Sequence, residues 1–224
     1  MLKKKVIAYL VEVKKIVKKI IPMPLWIIMI KPYLRYVRYR HGRPELPGET
    51  IRAKPRRLRE GFFKKYCQGK GLDIGYGGDI LSSNCVGWEI EDGDAHYLAS
   101  IRDSEFDFVY SSHTLEHMPH VETALRNWWR VLKSGGYLIL YLPHRDLFEK
   151  KKTLPSRWNT DHKHYFLVHK DDPPDTIGVV ALIQRTLSNQ KIIYAKACSE
   201  GHTERDPEKR SDGEYSIEAV IKKL

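Results

Sequence analysis

Residues 70–80 read "KGLDIGYGGDI", and this stretch decides the fold. A short apolar run, 71–74, carries an acid, Asp73, and opens into three glycines within four positions, Gly75, Gly77 and Gly78. Glycines mark turns readily, so a tight turn is the plain reading. The sharper reading follows from sheet geometry. In a doubly wound parallel sheet, ligands bind past the carboxyl ends of the strands, where the chain leaves the sheet. A glycine turn there lets the backbone approach a ligand and aims amide N–H groups at it. The flanking sequence has to choose between the two.

It alternates strand and helix. "GLDI" and "CVGWEI" (85–90) read as strands, and "FDFVY" (106–110) is apolar without alternation, as a strand buried on both faces should be. "VETALRNWWRVLKSGG" reads as a helix with Val121, Leu125, Trp128 and Leu132 inward, ended by glycines 135–136. "YLILYLP" (137–143) is another buried strand, and "DTIGVVALIQRTL" a helix opened by Asp175. "KIIYAKA" and "YSIEAVIKK" close the series, the last one alternating as an antiparallel edge strand would. The pattern predicts an α/β fold: a doubly wound, mostly parallel sheet with an antiparallel last strand.

Charge divides the chain. Residues 1–70 hold 20 Lys/Arg against 4 Asp/Glu, a balance of +16, and the remainder carries −5. Residues 2–21 pattern as a basic amphipathic helix, with Val6, Leu10, Val13, Val17 and Ile20 opposite seven lysines. Pro22 stops it, "LWIIMI" and the cationic-aromatic "KPYLRYVRYRHGR" follow, and 42–57 with its prolines reads as an extended connector. Residues 56–67 read as a short helix leading into the body. The expected organisation is a basic helical N-terminal arm and connector over 1–57 and a catalytic body over 58–224. No secretory signal is expected, since "VIAYLV" is broken by Glu12 and lysines, and the apolar run 20–30 is too short to span a bilayer. Three unpaired-looking cysteines, Cys67, Cys85 and Cys198, suit a reducing compartment. The expected location is the cytoplasm, with residues 2–30 as a candidate contact for an anionic membrane on its inner face. Nucleic acid is the less favoured partner of the arm.

Four elements in order resemble the class I S-adenosylmethionine (SAM)-dependent methyltransferases, the broad group that includes quinone-biosynthesis and glycan-modifying enzymes. They are "LDIGYGG", "GDAHYL" (93–98), "FDFVYSSHTLEH" and "RVLKSGGYLILYLP", and the resemblance spans about 66–224. It implies a Rossmann-like fold and SAM as cofactor. Asp73 and the backbone of Gly75, Gly77 and Gly78 would hold the methionine end. Glu89, or Glu91 in its place, would take the ribose hydroxyls, and Asp94 and Ala95 would border the adenine. Ser111 and His113 would lie beside the sulfonium. "DHKHYF" (161–166) is similar to the segment that closes over the acceptor in such enzymes. The sequence departs from the family in three ways. Asp79 stands where a third glycine is usual, only 75–85 connect the first two strands, and only 91–105 lie between the second and third. A parallel crossover normally needs a dozen residues or more, so the first helix must be very short and one strand–helix unit is expected to be missing near the second strand.

The chemistry-bearing cluster is "HTLEHMPH". His113, Glu116 and His117 sit three and four apart, close enough to share a face. Methyl transfer to a hydroxyl needs alignment and a proton acceptor, and His113, His117 or His144 could supply the latter. A metal site is the alternative, by resemblance to the E-x-x-E-H pattern of metal-dependent O-methyltransferases, with His144, His162 or His164 completing it. Because "LEH" also occurs without a metal, no metal is the expectation. The functional expectation is methyl transfer to a hydroxyl of a small molecule or glycan. An RNA methyltransferase, suggested by the interleaved Arg and Tyr of "RYVRYRHGR", and a non-catalytic SAM-fold binding module are the rivals.

Overall fold

The computed structural model describes residues 48–224; the amphipathic stretch 2–21, "LWIIMI" and most of the expected connector lie outside them. Two helices, α1 (Glu49–Arg59) and α2 (Phe62–Tyr66), lead into the first strand. The six strands of the main sheet are β1 (Gly71–Ile74), β2 (Cys85–Trp88), β3 (Phe106–Ser112), β4 (Leu132–Pro143), β7 (Gln190–Cys198) and β8 (Ser216–Lys223). Helix α3 (Val121–Arg130) precedes β4, and α4 (Val179–Thr186) precedes β7. A separate parallel pair, β5 (Tyr165–Leu167) and β6 (Thr176–Gly178), lies between them.

The sheet order is β2-β1-β3-β4-β8-β7, with β1 through β4 mutually parallel and β8 antiparallel to both β4 and β7. The α/β, mostly parallel architecture is therefore as expected. From β1 the chain turns outward to β2, then crosses to β3 on the other side. That reversal makes the carboxyl ends of β1 and β3 the switch point at which such sheets bind ligands.

Alternate residues of the central strands feed two cores. Leu138, Leu140 and Leu142 of β4 face the layer holding α3 and α4, while Ile139 and Tyr141 face the layer holding α1 and α2. Trp128 fills the first layer, with its indole N–H donating to the Ala95 carbonyl at 2.9 Å.

Several expectations need correction. The chain from Gly75 to Asn84 contains no helix, so the first crossover is a bare loop. Helix α3 ends at Arg130, and the glycines 135–136 instead form a bulge within β4, where the register with β3 shifts. A Cβ on Gly136 would lie 2.6 Å from the Asp107 carbonyl, which is why a side chain is excluded there. The helix expected to open at Asp175 begins only at Val179, because 176–178 pair with 165–167. Strand β8 is not at the edge: it lies between β4 and β7. Its polar Glu218 is fully buried because α1 covers that face with two arginines. Arg57 donates to Glu218 at 2.7 Å and to the Tyr110 hydroxyl at 3.0 Å; Arg56 binds both Glu214 and Glu218. The segment 49–57, expected as connector, is thus a helix of the body.

Candidate active site

At the switch point β3 clamps β1. The Ser111 and Thr114 hydroxyls both donate to the Ile74 carbonyl at 3.2 Å. The chain then turns through Gly75, Gly77 and Gly78, all at positive φ (72°, 61° and 90°), where L side chains are strained. The three glycines differ in reason. A Cβ on Gly75 would lie 2.1 Å from Thr114 Oγ1, so protein packing alone keeps that position bare. At Gly77 and Gly78 a Cβ would meet nothing within 4 Å. These two present open backbone to whatever binds there.

Asp73 lies beneath this turn, fully buried. Its Oδ2 accepts from the Leu81 amide at 2.7 Å, and its Oδ1 has no hydrogen-bond partner among the described residues. Burial pushes its carboxyl up to about 7. Glu89, just past β2, accepts from the Gly77 amide and so braces the turn. Asp79, the departure from the usual glycine, has its own task. Its Oδ2 accepts from the Ile51 amide at 3.3 Å, in the first turn of α1, where no side chain of Gly48 can cap the helix.

The open backbone at Gly77 and Gly78, the unpaired buried oxygen of Asp73 and the switch-point location fit the methionine end of SAM. Asp73 and the 75–78 turn would hold that end, and Glu89, bonded to the Gly77 amide just past β2, would take the ribose. Asp94 accepts from the amide and ring of His96, and Ala95 is tied to α3 through Trp128.

The histidines separate. His113 sits at φ 50° with its amide donating to the Tyr141 carbonyl, its Nε2 2.8 Å from Ser216 Oγ, and its ring among Tyr141, Phe148 and Tyr215. Burial, reinforced by the neighbouring His162 and His117, pushes it down to about 3. It stays neutral and is a weak proton acceptor. His144 accepts from the Asp146 amide at Nδ1, which puts its proton on Nε2 and makes it a donor there.

His117 joins a group the motif alone does not reveal. Glu116, in a 3-10 turn (Leu115–His117), is fully buried, and burial pushes its carboxyl up to about 8. His117 Nε2 lies 3.8 Å from Glu116 Oε1, and His162 Nε2 lies 3.9 Å from the same oxygen. His162 arrives from the "DHKHYF" segment, pinned by the Lys163 amide donating to the Glu116 carbonyl at 2.7 Å. His164 remains outside the group. The partners missed by sequence reading are Glu149, which accepts from His162 Nδ1 at 2.6 Å, and Ser156, which donates to Glu149 at 2.6 Å. No local pattern marks them, since they lie on an irregular turn and loop.

Clefts of about 310 and 430 Å³ lined by Lys65, Asp107 and Lys133, and by Lys70, Arg102 and Glu105, lie at the opposite, amino-terminal edge of the sheet. They take no part in this arrangement.

Residues 63–140 match the family model described as a methyltransferase domain. That span contains the glycine turn, the switch point and the HTLEH cluster. Residues 63–140 carry a methyltransferase domain: the chain is an enzyme, and SAM is its cofactor. Similar solved structures include a SAM-dependent methyltransferase from Archaeoglobus fulgidus, 17% identical over 85% of this chain and 99% of that one, with a TM-score of 0.46. A possible histamine N-methyltransferase from Thermotoga maritima is 16% identical over 79% and 99%, with a TM-score of 0.44. The [4+2]-cyclase SpnF is 17% identical over 64% of this chain, which spans 60% of the cyclase's length, with a TM-score of 0.43. No curated protein sequence matches the chain.

Proposed function

We propose that this enzyme methylates a hydroxyl group of a small molecule or glycan, working in the cytoplasm and reaching the inner membrane face through residues 2–30. One observation carries the acceptor reading. Past the end of β3, Glu116 Oε1, His117 Nε2 and His162 Nε2 converge, and Glu116 has no hydrogen-bond donor on either oxygen. His117 Nδ1 faces Asp161 Oδ2 at 3.0 Å and His162 Nδ1 faces Glu149, so both Nδ1 atoms carry the ring proton and both Nε2 atoms are acceptors. The two Nε2 lone pairs face a carboxyl that burial pushes up to about 8, so the group can take a further proton, and a hydroxyl brings one.

When bound, SAM supplies a methyl group activated on a sulfonium. The chain's share of the reaction is positioning and proton handling. Ser111 and Thr114 fix the end of β1. The ring of His113, packed among three aromatic rings, offers no competing charge. The proton of the acceptor hydroxyl has its destination in the His117–His162–Glu116 group. The basic arm supports the membrane reading, because each cation near an anionic surface contributes about 1 kcal/mol.

Titration calorimetry with SAM and S-adenosylhomocysteine tests cofactor use directly. Transfer of labelled methyl from SAM to panels of phenols, sugars, amines and RNA tests the acceptor class. Labelling confined to amines or RNA refutes the hydroxyl reading.

A further inference from the structure

We propose that Glu116, His117 and His162 form a binding site for a divalent transition-metal ion of the zinc type, with Glu116 Oε1, His117 Nε2 and His162 Nε2 as its ligands. The inference goes beyond the methyltransferase reading but uses the same three atoms as the acceptor reading: an ion held there would take their lone pairs, and an acceptor oxygen would then meet the ion's open position instead of those atoms.

The three ligand atoms lie within 4.8 Å of one another. A tetrahedral ion holding ligands at about 2.0–2.1 Å would set them about 3.3 Å apart. The observed separations of 3.8 and 3.9 Å from Glu116 Oε1 therefore need to close by roughly half an ångström. The two Nε2 atoms, within 4.8 Å of each other, would close by at most about 1.5 Å.

Electrostatics argues for a cation at the centre. Glu116 is fully buried, and neither of its oxygens has a hydrogen-bond partner among the described residues. Buried carboxylates are ordinarily bonded, and an orphan of this kind asks for an explanation. Nor do the two imidazoles donate to it: their proton-bearing Nδ1 atoms are turned outward to carboxylates, which leaves lone pairs on the inward Nε2 atoms. A proton could relieve one such contact. A cation at the centre satisfies all three.

The outer groups have the arrangement that metal-binding histidines use. Each ligand histidine gives its far N–H to a carboxylate, His117 to Asp161 and His162 to Glu149, and Ser156 in turn holds Glu149. This fixes the tautomer and aims the ring. Two imidazoles and one carboxylate suit zinc, cobalt or iron better than calcium or magnesium, which prefer all-oxygen shells. Three protein ligands also leave one position open, the mark of a site that binds a further ligand and does not merely staple the fold. His113 Nδ1, 3.7 Å from the same Glu116 oxygen, borders the group.

The test is metal content and spectroscopy of the full-length chain, with no SAM or acceptor present. Protein stripped with a chelator and dialysed against Zn²⁺ should retain about one ion per chain, and Co²⁺ should give the intense visible bands of a tetrahedral site. His162→Gln and Glu116→Gln should lose both. Should those buried variants fail to fold, Asp161→Asn serves, because Asp161 is largely exposed and circular dichroism can confirm its fold. It should weaken Co²⁺ binding by about 10–100-fold. Wild-type protein that holds less than a tenth of an equivalent and shows no Co²⁺ bands overturns the proposal. So does wild-type affinity in folded Asp161→Asn or His162→Gln, which would place the ion elsewhere. Methyl transfer that survives in metal-free protein leaves the enzyme reading intact and so keeps the two questions separate.

Discussion

Gly75 and Gly78 sit three residues apart in one turn, yet substituting each by alanine should do opposite things. At Gly75 the new Cβ meets Thr114 Oγ1 at 2.1 Å and Thr114 Cγ2 at 2.8 Å. Thr114 cannot step aside freely, because its hydroxyl holds the Ile74 and Ser112 carbonyls. Overpacking of this kind costs about 1–3 kcal/mol, and a left-handed alanine adds about 1–2 kcal/mol. Gly75→Ala should therefore lose about 2–5 kcal/mol of stability. At Gly78 the Cβ meets nothing, so only the conformational cost of about 1–2 kcal/mol remains. For a body of this size, residues 47–224, each kcal/mol moves Tm by about 2–4 °C. Gly75→Ala should drop Tm by about 4–20 °C, and Gly78→Ala by about 2–8 °C. Cofactor affinity should run the other way. The methyl of Gly78→Ala projects into the open cradle, and a tenfold loss for S-adenosylhomocysteine corresponds to about 1.4 kcal/mol. Thermal unfolding and titration calorimetry on both variants separate the effects. If Gly78→Ala binds S-adenosylhomocysteine as wild type does, the open backbone is not the cofactor's cradle and the glycines serve the turn alone.

Arg57→Met should cost at most about 3–5 kcal/mol in urea denaturation, since it takes one of two guanidinium partners from fully buried Glu218 and leaves it Arg56; Arg57→Met with Glu218→Gln should be less destabilised than Arg57→Met alone, and strict additivity would contradict the buried pairing. The carboxyl of Glu218 is held down at about 2, mainly by Arg57 and Arg56 working against burial. A depressed acid contributes stability that is present above its unfolded value near 4.5 and lost as pH falls toward 2, so Glu218→Gln should flatten the acid limb of the stability curve. Asp73 has the reverse sign: burial raises it to about 7, so its contribution is whole below pH 4 and lost as pH climbs through 7. Asp73→Asn should gain stability over wild type on the order of 4 kcal/mol at pH 8 and almost none at pH 4; a gain equal at both pH values would refute the buried-charge account. Full-length protein should sediment with anionic and not with neutral vesicles, while a chain beginning at Pro47 stays in the supernatant with both; identical behaviour of the two would remove the membrane role from residues 2–30.

How much of this was legible depended on the range of the interactions. The parallel sheet was, because β1, β3 and β4 are buried on both faces and their apolar runs are local. The missing unit was legible too, since the 75–85 and 91–105 connections are countable. Helix α1 was not. Pro55 and the prolines around it read as breakers, and what holds the helix is ion pairing to Glu214 and Glu218, some 160 residues away. The same pairing hid the place of β8, whose alternation read as that of an edge strand. In the site, Asp73 and the glycines were visible as a motif, but their separate tasks were not: Gly75 answers to Thr114, and Asp79 to the first turn of α1. His162 could be named only as one of three candidates. Its selection depends on a backbone hydrogen bond between Lys163 and Glu116 that no spacing rule foretells.

The tie between α1 and β8 also bears on the order in which the molecule can be assembled. Arg56 and Arg57 are made early, and the two carboxylates that neutralise them, Glu214 and Glu218, are made after every other described strand. On a ribosome the inner face of α1 therefore has, among the described residues, only Glu60, paired with Arg56, as an acidic counterpart until β8 emerges. Until then the sheet lacks the strand between β4 and β7, and both of those strands have an open side. Closure of the domain is in this sense a single late event, in which one strand completes the sheet and discharges the helix together. A chain halted before residue 214 should remain hydrogen-exchange labile throughout α1 and β7, while β1, β3 and β4 already protect one another.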